Sequence, residues 1–267
     1  VGTYTEAMVA GPVFENAQIP LVNIWDSAPE IEALGNYVFG IGVWTPSSSE
    51  VSAKYARENI KAKTAVTICN NGEWSLEVAK AFRENFEKDG GKVLDHFEIN
   101  PGESDFRTIL LKVKSLNPDV IYAPVTDNIS AFWLQLGRSG YTKTVITSDI
   151  LNQEILNQVG SSAEGVYQTQ AADPSSPATI EMLDAYKAKH GKDCTQVFFT
   201  SLGYDSVMFL AKAMQTKGLK RNLIKDGLYE IANYPGASGV ATMTPEGSVK
   251  RIVSVFQVKD SKLVPVS

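Results

Sequence analysis

Few residues in this chain have the type and spacing that catalysis requires. The two histidines, His96 and His190, lie far apart in sequence and do not form a pair with metal-ligand spacing. Neither of the segments 137–140 (GRSG) and 236–239 (GASG) completes the G-x-S-x-G pattern of a nucleophile elbow. Segment 89–92 (DGGK) lacks the first glycine and the preceding strand of a phosphate-binding loop. The sequence therefore indicates no enzyme and no cofactor, and it favours a binding protein.

Asp149 is the residue whose position best suits ligand chemistry. It follows residues 144–148, an apolar and β-branched run that predicts a strand. A carboxylate fixed at that strand end could form a charge-assisted hydrogen bond with an ammonium group. The same position suits the cap of a helix that starts near Leu151, because aspartate is a preferred N-cap. Taken alone, the residue leaves these two roles equally open.

The segment 64–122 predicts the elements that would position such residues. Strands are predicted at 65–69, 92–99 and 119–123, and the two helices between them carry apolar residues at helical spacing. Alternating strands and helices indicate a parallel α/β sheet, in which ligands bind outside the carboxyl ends of the strands. The loops that this arrangement brings to the ligand are 70–74, 124–128 and 147–150.

The remaining segments extend the same α/β pattern. Residues 1–5 predict the end of a strand, and the helix that follows carries Val9, Val13 and Phe14 on one face. A further helix at 50–60 would be capped by Ser49 or Ser52. The other predictions are strands at 19–24 and 37–43, a loop at 25–29, a helix over Phe132 and Leu136, helices at 178–190, 196–215 and 222–231, crossovers at 45–49, 171–177 and 234–239, and a carboxyl-terminal hairpin over 249–258 and 263–266.

Composition restricts the partners. The 267 residues include 25 basic and 30 acidic side chains, for a net charge of −5 without a basic cluster, so nucleic acid is not an expected partner. No apolar run approaches the ~20 residues that span a bilayer. Two cysteines establish no disulfide framework. A small-molecule ligand fits best. The chain opens on Val1 without a lead-in, and we expect a truncated sequence.

Four segments in order resemble one family. They are 19–30, 101–120, the Gly203-Tyr204-Asp205-Ser206 motif, and 244–260. Together they are similar to the type I periplasmic solute-binding proteins of ABC importers, in particular the leucine/isoleucine/valine-binding branch. The resemblance implies two doubly wound parallel-sheet α/β lobes joined by three crossovers, with lobe 1 at 1–45 and 175–242 and lobe 2 at 46–174 and 243–267. It also implies that two strand–helix units precede the point where this chain begins.

The resemblance further implies a ligand site and a biological role. The implied ligand-binding residues are Thr5, Trp25, Asp26, Ser27, Trp74, Thr126, Asp149 and Phe199. Asp149 would bind an ammonium group, and Thr5 and Ser27 would receive a carboxylate, so the expected ligand is a neutral branched-chain or aromatic amino acid, or a related amide. The chain would be the binding component of an importer, periplasmic or lipid-anchored outside the cell, with ABC transporter permease subunits as partners. The alternative is the ligand-sensing domain of a receptor or regulator with the same fold.

Overall fold

The chain folds into two units of contiguous packing. The computed structural model describes residues 1–173 and 175–266, with only the backbone described at 43–46. Unit 1 consists of Val1–Thr45 and Ala171–Ile252, and unit 2 of Pro46–Gln170 and Val253–Ser267. The chain therefore passes between the units three times. Pro174, next to the predicted lobe border, lies outside the described residues.

The secondary structure alternates between strands and helices along most of the chain. The described residues form, in order, α1 (Tyr4–Asn16), β1 (Leu21–Asn23), β2 (Asp26–Ser27), α2 (Pro29–Glu32), β3 (Val38–Gly40), β4 (Val43–Trp44), α3 (Thr45–Glu58), β5 (Thr64–Asn70), α4 (Glu73–Lys88), β6 (Lys92–Ile99), α5 (Arg107–Leu116), β7 (Val120–Tyr122), α6 (Ile129–Arg138), β8 (Thr144–Thr147), α7 (Gln153–Val159), β9 (Tyr167–Gln170), α8 (Pro177–His190), α9 (Val197–Lys217), α10 (Arg221–Tyr229), β10 (Tyr234–Gly236), β11 (Gly239–Met243), β12 (Val249–Arg251), β13 (Ser254–Lys259) and β14 (Lys262–Pro265).

The strands of unit 1 are short and form three small sheets. β1 pairs in parallel with β3, and β2 pairs in parallel with β4. β10, β11 and β12 form an antiparallel sheet. One apolar cluster packs Phe39 and Ile41 against Phe209 of α9 and Leu228 of α10. The β1–β3 pair thereby gains a helical layer that covers one face.

The predicted strand end at residues 1–5 is wrong, because α1 begins at Tyr4. Thr3 is its N-cap, and Thr3 and Glu6 form a reciprocal capping box. Such a box satisfies backbone N–H groups that a helix leaves without internal partners, and it therefore favours a helix start at this point. The apolar face was also misassigned, since Val9 is 73% exposed. Ala7 and Gly11 face the core instead.

The predicted strand 37–43 is interrupted, because its residues form β3 and β4 separately. Gly42 lies between them, and a Cβ added there would stand 2.1 Å from the carbonyl carbon of Trp25. Only glycine allows so close a backbone approach. The break lets β3 pair with β1 and lets β4 pair with β2.

The carboxyl-terminal part of unit 1 is organised by a buried carboxylate. Asp205 in α9 is fully buried and accepts hydrogen bonds from the backbone N–H groups of Ala237 (2.9 Å) and Ser238 (2.8 Å), and from the Ser238 hydroxyl. Arg251 donates through Nε to the Ser238 hydroxyl (2.9 Å) and through Nη1 to the Ile41 carbonyl oxygen. Burial lowers the pKa of Arg251 to about 10, although Asp205 acts in the opposite direction.

The predicted crossover at 234–239 is therefore wrong. These residues form β10 and its turn into β11, and β12 continues the same antiparallel sheet. The third passage between units follows Ile252 rather than residue 242. The reason is that β12 pairs with β11, which keeps it in unit 1, while the predicted hairpin is reduced to β13 and β14.

Unit 2 is built on one seven-stranded sheet. Its strand order is β14-β13-β9-β8-β7-β5-β6, and neighbouring strands are parallel from β6 to β9. β13 pairs antiparallel with both β9 and β14, so the sheet is mixed at one edge. Both faces are covered, since Ile68 and Trp133 belong to one core cluster and Phe82 and Tyr122 to another. The carboxyl ends of β5, β7 and β8 consequently meet at one edge.

The amino-terminal turns of α3 differ from the prediction. Neither Ser49 nor Ser52 caps a helix, because both lie inside α3. Their hydroxyls have partners on the sheet: Ser52 Oγ lies 2.9 Å from Thr169 Oγ1, and Ser49 Oγ lies 3.2 Å from Tyr122 Oη. Ser48 Oγ lies 2.8 Å from the same Thr169 hydroxyl. These tertiary contacts satisfy hydroxyls that would otherwise favour cap positions.

Candidate ligand-binding site

In unit 1, two of the predicted ligand residues form an exposed aromatic pair. Trp25 follows β1, and Phe199 lies in the first turn of α9. Their ring centroids are 5.6 Å apart in an edge-to-face arrangement. The exposed fractions are 43% for Trp25 and 44% for Phe199. The pair presents exposed aromatic surface that a ligand side chain could contact.

Asp26 and Thr5 lie beside the amino end of α1. Asp26 Oδ2 accepts a hydrogen bond of 2.7 Å from the backbone N–H of Tyr4. Thr5 is the second residue of α1 and is exposed, whereas the sequence placed it at the end of a strand. Glu6 Oε2 accepts from the N–H groups of Gly2 (2.8 Å) and Thr3 (3.1 Å). The helix end therefore already binds two carboxylates of unit 1 itself.

Ser27 is fully buried, and among the described residues its hydroxyl has no hydrogen-bond partner. A Cβ added at Gly40 would stand 2.9 Å from Ser27 Oγ and 3.1 Å from Ser248 Oγ. Both hydroxyls thus pack closely over the Gly40 backbone, inside unit 1. The Ser27 hydroxyl is directed into the interior rather than to the surface where Trp25 is exposed.

In unit 2, Asn70 organises the loop that carries Thr126. Asn70 ends β5, and its Oδ1 accepts from the Thr126 N–H (2.6 Å), the Thr126 hydroxyl (3.1 Å) and the Asp127 N–H (3.1 Å). Two of these donors are backbone N–H groups, so the acceptor must be the amide oxygen and the orientation of the amide is determined. Asn70 was not predicted as a site residue. A polar residue at the end of a buried strand was the available signal.

Trp74 is the second residue of α4 and not a loop residue, which corrects the sequence interpretation. Gly72 is the N-cap of that helix and gives no side-chain hydrogen bond. The indole is partly exposed. Trp74, Thr126 and Asp149 follow β5, β7 and β8, which are neighbours in the sheet. The three predicted residues of unit 2 therefore belong to the same sheet edge.

Asp149 follows β8 in a turn, and its Oδ1 accepts a 3.0 Å hydrogen bond from the Ser148 hydroxyl. The alternative role as a helix cap is wrong. Asn152 is the N-cap of α7, and its Oδ1 accepts from the Ile155 N–H at 2.9 Å. The side chain of Asp149 also lies close enough to Tyr122 to raise the pKa of that buried phenol, although burial is the larger cause. Its role in ligand binding stays a prediction.

A surface cavity of about 820 Å³ in unit 2 lies elsewhere. Its lining includes Lys63, Asp119 and Thr144, at the amino ends of β5, β7 and β8. None of the predicted ligand residues lines it. In residues 1–173 and 175–266 no cluster of histidine, cysteine, aspartate or glutamate is suited to a metal ion. Within the same ranges, no helix is both long and apolar enough to cross a membrane.

Comparison with known proteins decides which family this arrangement represents. The family model described as periplasmic binding protein matches residues 1–262. The chain belongs to the periplasmic binding protein family. Members of this family bind substrates, so the expectation of a binding protein rather than an enzyme is confirmed by membership. The resemblance deduced from segments 19–30, 101–120, 203–206 and 244–260 is likewise confirmed.

Relatives and solved structures agree with the assignment. The Leu/Ile/Val-binding protein of Citrobacter freundii is 26% identical over 238 residues, and the match covers 88% of this chain and 62% of that protein. The chain thus spans less than two thirds of that relative. The leucine-binding protein LivK of Thermotoga maritima has a TM-score of 0.87 at 24% identity, with 100% of this chain and 77% of the other covered. For LivJ of Streptococcus pneumoniae with isoleucine, the TM-score is 0.84 at 24% identity, with 98% and 75% covered. The predicted two-lobe α/β fold is confirmed.

Proposed function

We propose that this periplasmic binding protein is the substrate-binding component of an ABC importer for a neutral amino acid or a related amide. Family membership and the names of the relatives support a solute-binding role. The whole assembly would include permease subunits, and the protein would act in the periplasm or outside the cell on a lipid anchor. Periplasmic binding proteins as a class close around their ligands by hinge motion.

The observation that carries the ligand proposal is the placement of Asp149. It stands at the carboxyl edge of the unit 2 sheet, where α/β proteins bind ligands, and α7 has a different cap. A carboxylate in this position suits the ammonium group of an amino acid or of its amide. In unit 1, the aromatic pair supports an apolar or aromatic ligand side chain. Trp74 and Thr126 would add contacts from unit 2.

Calorimetric titration of an amino acid panel into the parent and into Asp149→Asn tests the proposal. The parent should bind at least one neutral amino acid or amide, and the variant should lose about 2–5 kcal/mol of binding free energy, because a buried ammonium loses its counter-charge. Asp89→Asn, an exposed aspartate of the same unit at the carboxyl end of α4, outside the loops predicted to reach the ligand, is the matched control and should bind normally. Unchanged affinity in Asp149→Asn would remove Asp149 from the site. Preference for glutamate over leucine and phenylalanine would contradict the ligand class.

A further inference from the structure

The amino end of α1 is already bound by carboxylates, and this restricts the ligand. Helix amino ends attract anions through their unpaired N–H groups and the helix dipole. Here the N–H groups of Gly2 and Thr3 donate to Glu6, at 2.8 and 3.1 Å, and that of Tyr4 donates to Asp26 at 2.7 Å. A ligand carboxylate placed at this end would compete with both side chains for the same donors.

The local charge also opposes an anion. The backbone donors of Thr3 and Gly2 lower the pKa of Glu6, which keeps its carboxylate ionised at neutral pH. Asp26, which accepts from the Tyr4 N–H, adds a second carboxylate at the same helix end. A ligand carboxylate beside Asp26 would meet a like charge, which costs binding free energy.

The neighbouring surface favours a neutral or positive group instead. Trp25 and Phe199 are 43% and 44% exposed, and aromatic rings attract cations through their negative π density and make favourable contacts with flat amides. The Ser27 hydroxyl, expected to receive a carboxylate, is fully buried and points toward Gly40. Of the hydroxyls predicted to contact the ligand from unit 1, only that of Thr5 is exposed.

We propose that the ligand group held by unit 1 carries no negative charge, so that the protein binds an amino acid amide, or a similar uncharged derivative, in preference to the free amino acid. The inference rests on the proposed function and chooses between the two ligand classes left open there. It replaces the expected carboxylate contact with a contact between an uncharged amide and the surface of Trp25, Asp26 and Phe199.

The test compares phenylalanine with phenylalaninamide, and leucine with leucinamide, by calorimetry on the chain as it stands. At about pH 6 the α-ammonium group is protonated in free amino acids and largely so in their amides, so each pair differs chiefly in the charge of the carboxyl end. We expect the amide of each pair to bind about tenfold more tightly or better, as expected for one avoided like-charge contact near a protein surface.

Two variants connect this preference to the carboxylates. In Asp26→Asn and Glu6→Gln, the side-chain oxygen can still accept from the same backbone N–H groups, so the helix cap is retained while the charge is removed. Each should reduce the preference for the amide severalfold by strengthening binding of the free acid. Glu15→Gln is the control, because Glu15 accepts from the Tyr37 N–H (2.7 Å) near the other end of α1. It should leave the preference unchanged.

The outcomes separate this inference from the proposed function. Tighter binding of the free acid, or equal binding of both members of each pair, overturns the inference while an amino acid importer remains supported. A preference for the amide that neither variant changes overturns the assignment to Glu6 and Asp26. If neither acids nor amides bind the parent, the proposed function fails and the inference fails with it.

Discussion

Asn70 Oδ1 fixes the position of Thr126 by accepting hydrogen bonds from its backbone N–H, at 2.6 Å, and from its hydroxyl, at 3.1 Å. One amide oxygen at the end of β5 therefore determines the conformation of the loop that follows β7. Asn70 Nδ2 is buried and has no hydrogen-bond partner among the described residues. The amide oxygen of Asn70 therefore holds Thr126 in place, whereas the amide nitrogen forms no hydrogen bond with any described residue.

Replacement of Asn70 separates these two atoms. Asn70→Leu should lower the free energy of unfolding by about 2–3 kcal/mol, because the N–H groups of Thr126 and Asp127 lose their acceptor. Asn70→Asp keeps an acceptor at the same place and should be less destabilising. Urea unfolding of both variants measures the difference. Equal losses would show that the acceptor does not hold the loop.

Gly40 should be intolerant of a side chain. In Gly40→Ala the new Cβ would lie 2.9 Å from Ser27 Oγ and 3.1 Å from Ser248 Oγ, and we expect a loss of about 1–3 kcal/mol from overpacking. Gly203→Ala is the control, because nothing lies within 4 Å of its added Cβ and helix α9 gains a better helix former. Thermal unfolding should move in opposite directions in these variants. A neutral Gly40→Ala would contradict the close packing.

Asp205→Ala should be among the most destabilising substitutions in unit 1. It leaves the buried N–H groups of Ala237 and Ser238 without an acceptor and the Arg251 guanidinium without a nearby counter-charge. We expect a loss of about 3–5 kcal/mol in the free energy of unfolding. Asp193→Ala removes an exposed ion pair with Lys187 and should change stability by less than about 1 kcal/mol. Similar effects of both substitutions would argue against the Asp205 network.

We expect the folded protein to lose stability in mild acid because of His96. Its Nδ1 lies 2.7 Å from the Thr67 hydroxyl and 2.9 Å from Arg83 Nη1, and burial together with the Arg83 charge lowers its pKa. Because the folded pKa lies below the unfolded value of about 6.5, the neutral ring stabilises the fold above that pH. This contribution declines as the pH falls from about 6.5 through the folded pKa. Urea unfolding should show a smaller decline in His96→Gln, and equal slopes would contradict the assignment.

Elements with strong local signals were predicted well. β6 has the predicted bounds, Lys92–Ile99, and α5 ends at Leu116, directly before the predicted stop at Asn117, whose left-handed conformation caps the helix. Gly90, which follows α4, has a positive φ of 80°, as expected for a residue that ends a helix. These boundaries depend on residues close in sequence, so periodicity and turn residues suffice to locate them.

Features that depend on distant partners were not predictable. The sequence predicted helix caps at Ser49 and Ser52 because the partners of their hydroxyls, Tyr122 and Thr169, are far away in sequence. The direction of the Ser27 side chain depends on the pairing of β2 with β4 and on the absence of a side chain at Gly40. Asn70 was missed because nothing near it in sequence identifies Thr126 as its partner. The strand ends in the sequence predict the edge of the sheet at which a ligand would bind. The direction of each side chain at that edge depends on tertiary contacts, which the sequence alone does not give.

The hydrogen bonds to Asp205 also provide an internal probe. The amide protons of Ala237 and Ser238 point at a fully buried carboxylate and should exchange with deuterated solvent only when unit 1 opens cooperatively. The amide protons of Ile68 and Val66, in strand β5, which is buried between β6 and β7, should report in the same way on unit 2. Mass spectrometry of these two segments would give separate opening free energies for the units within a single intact chain.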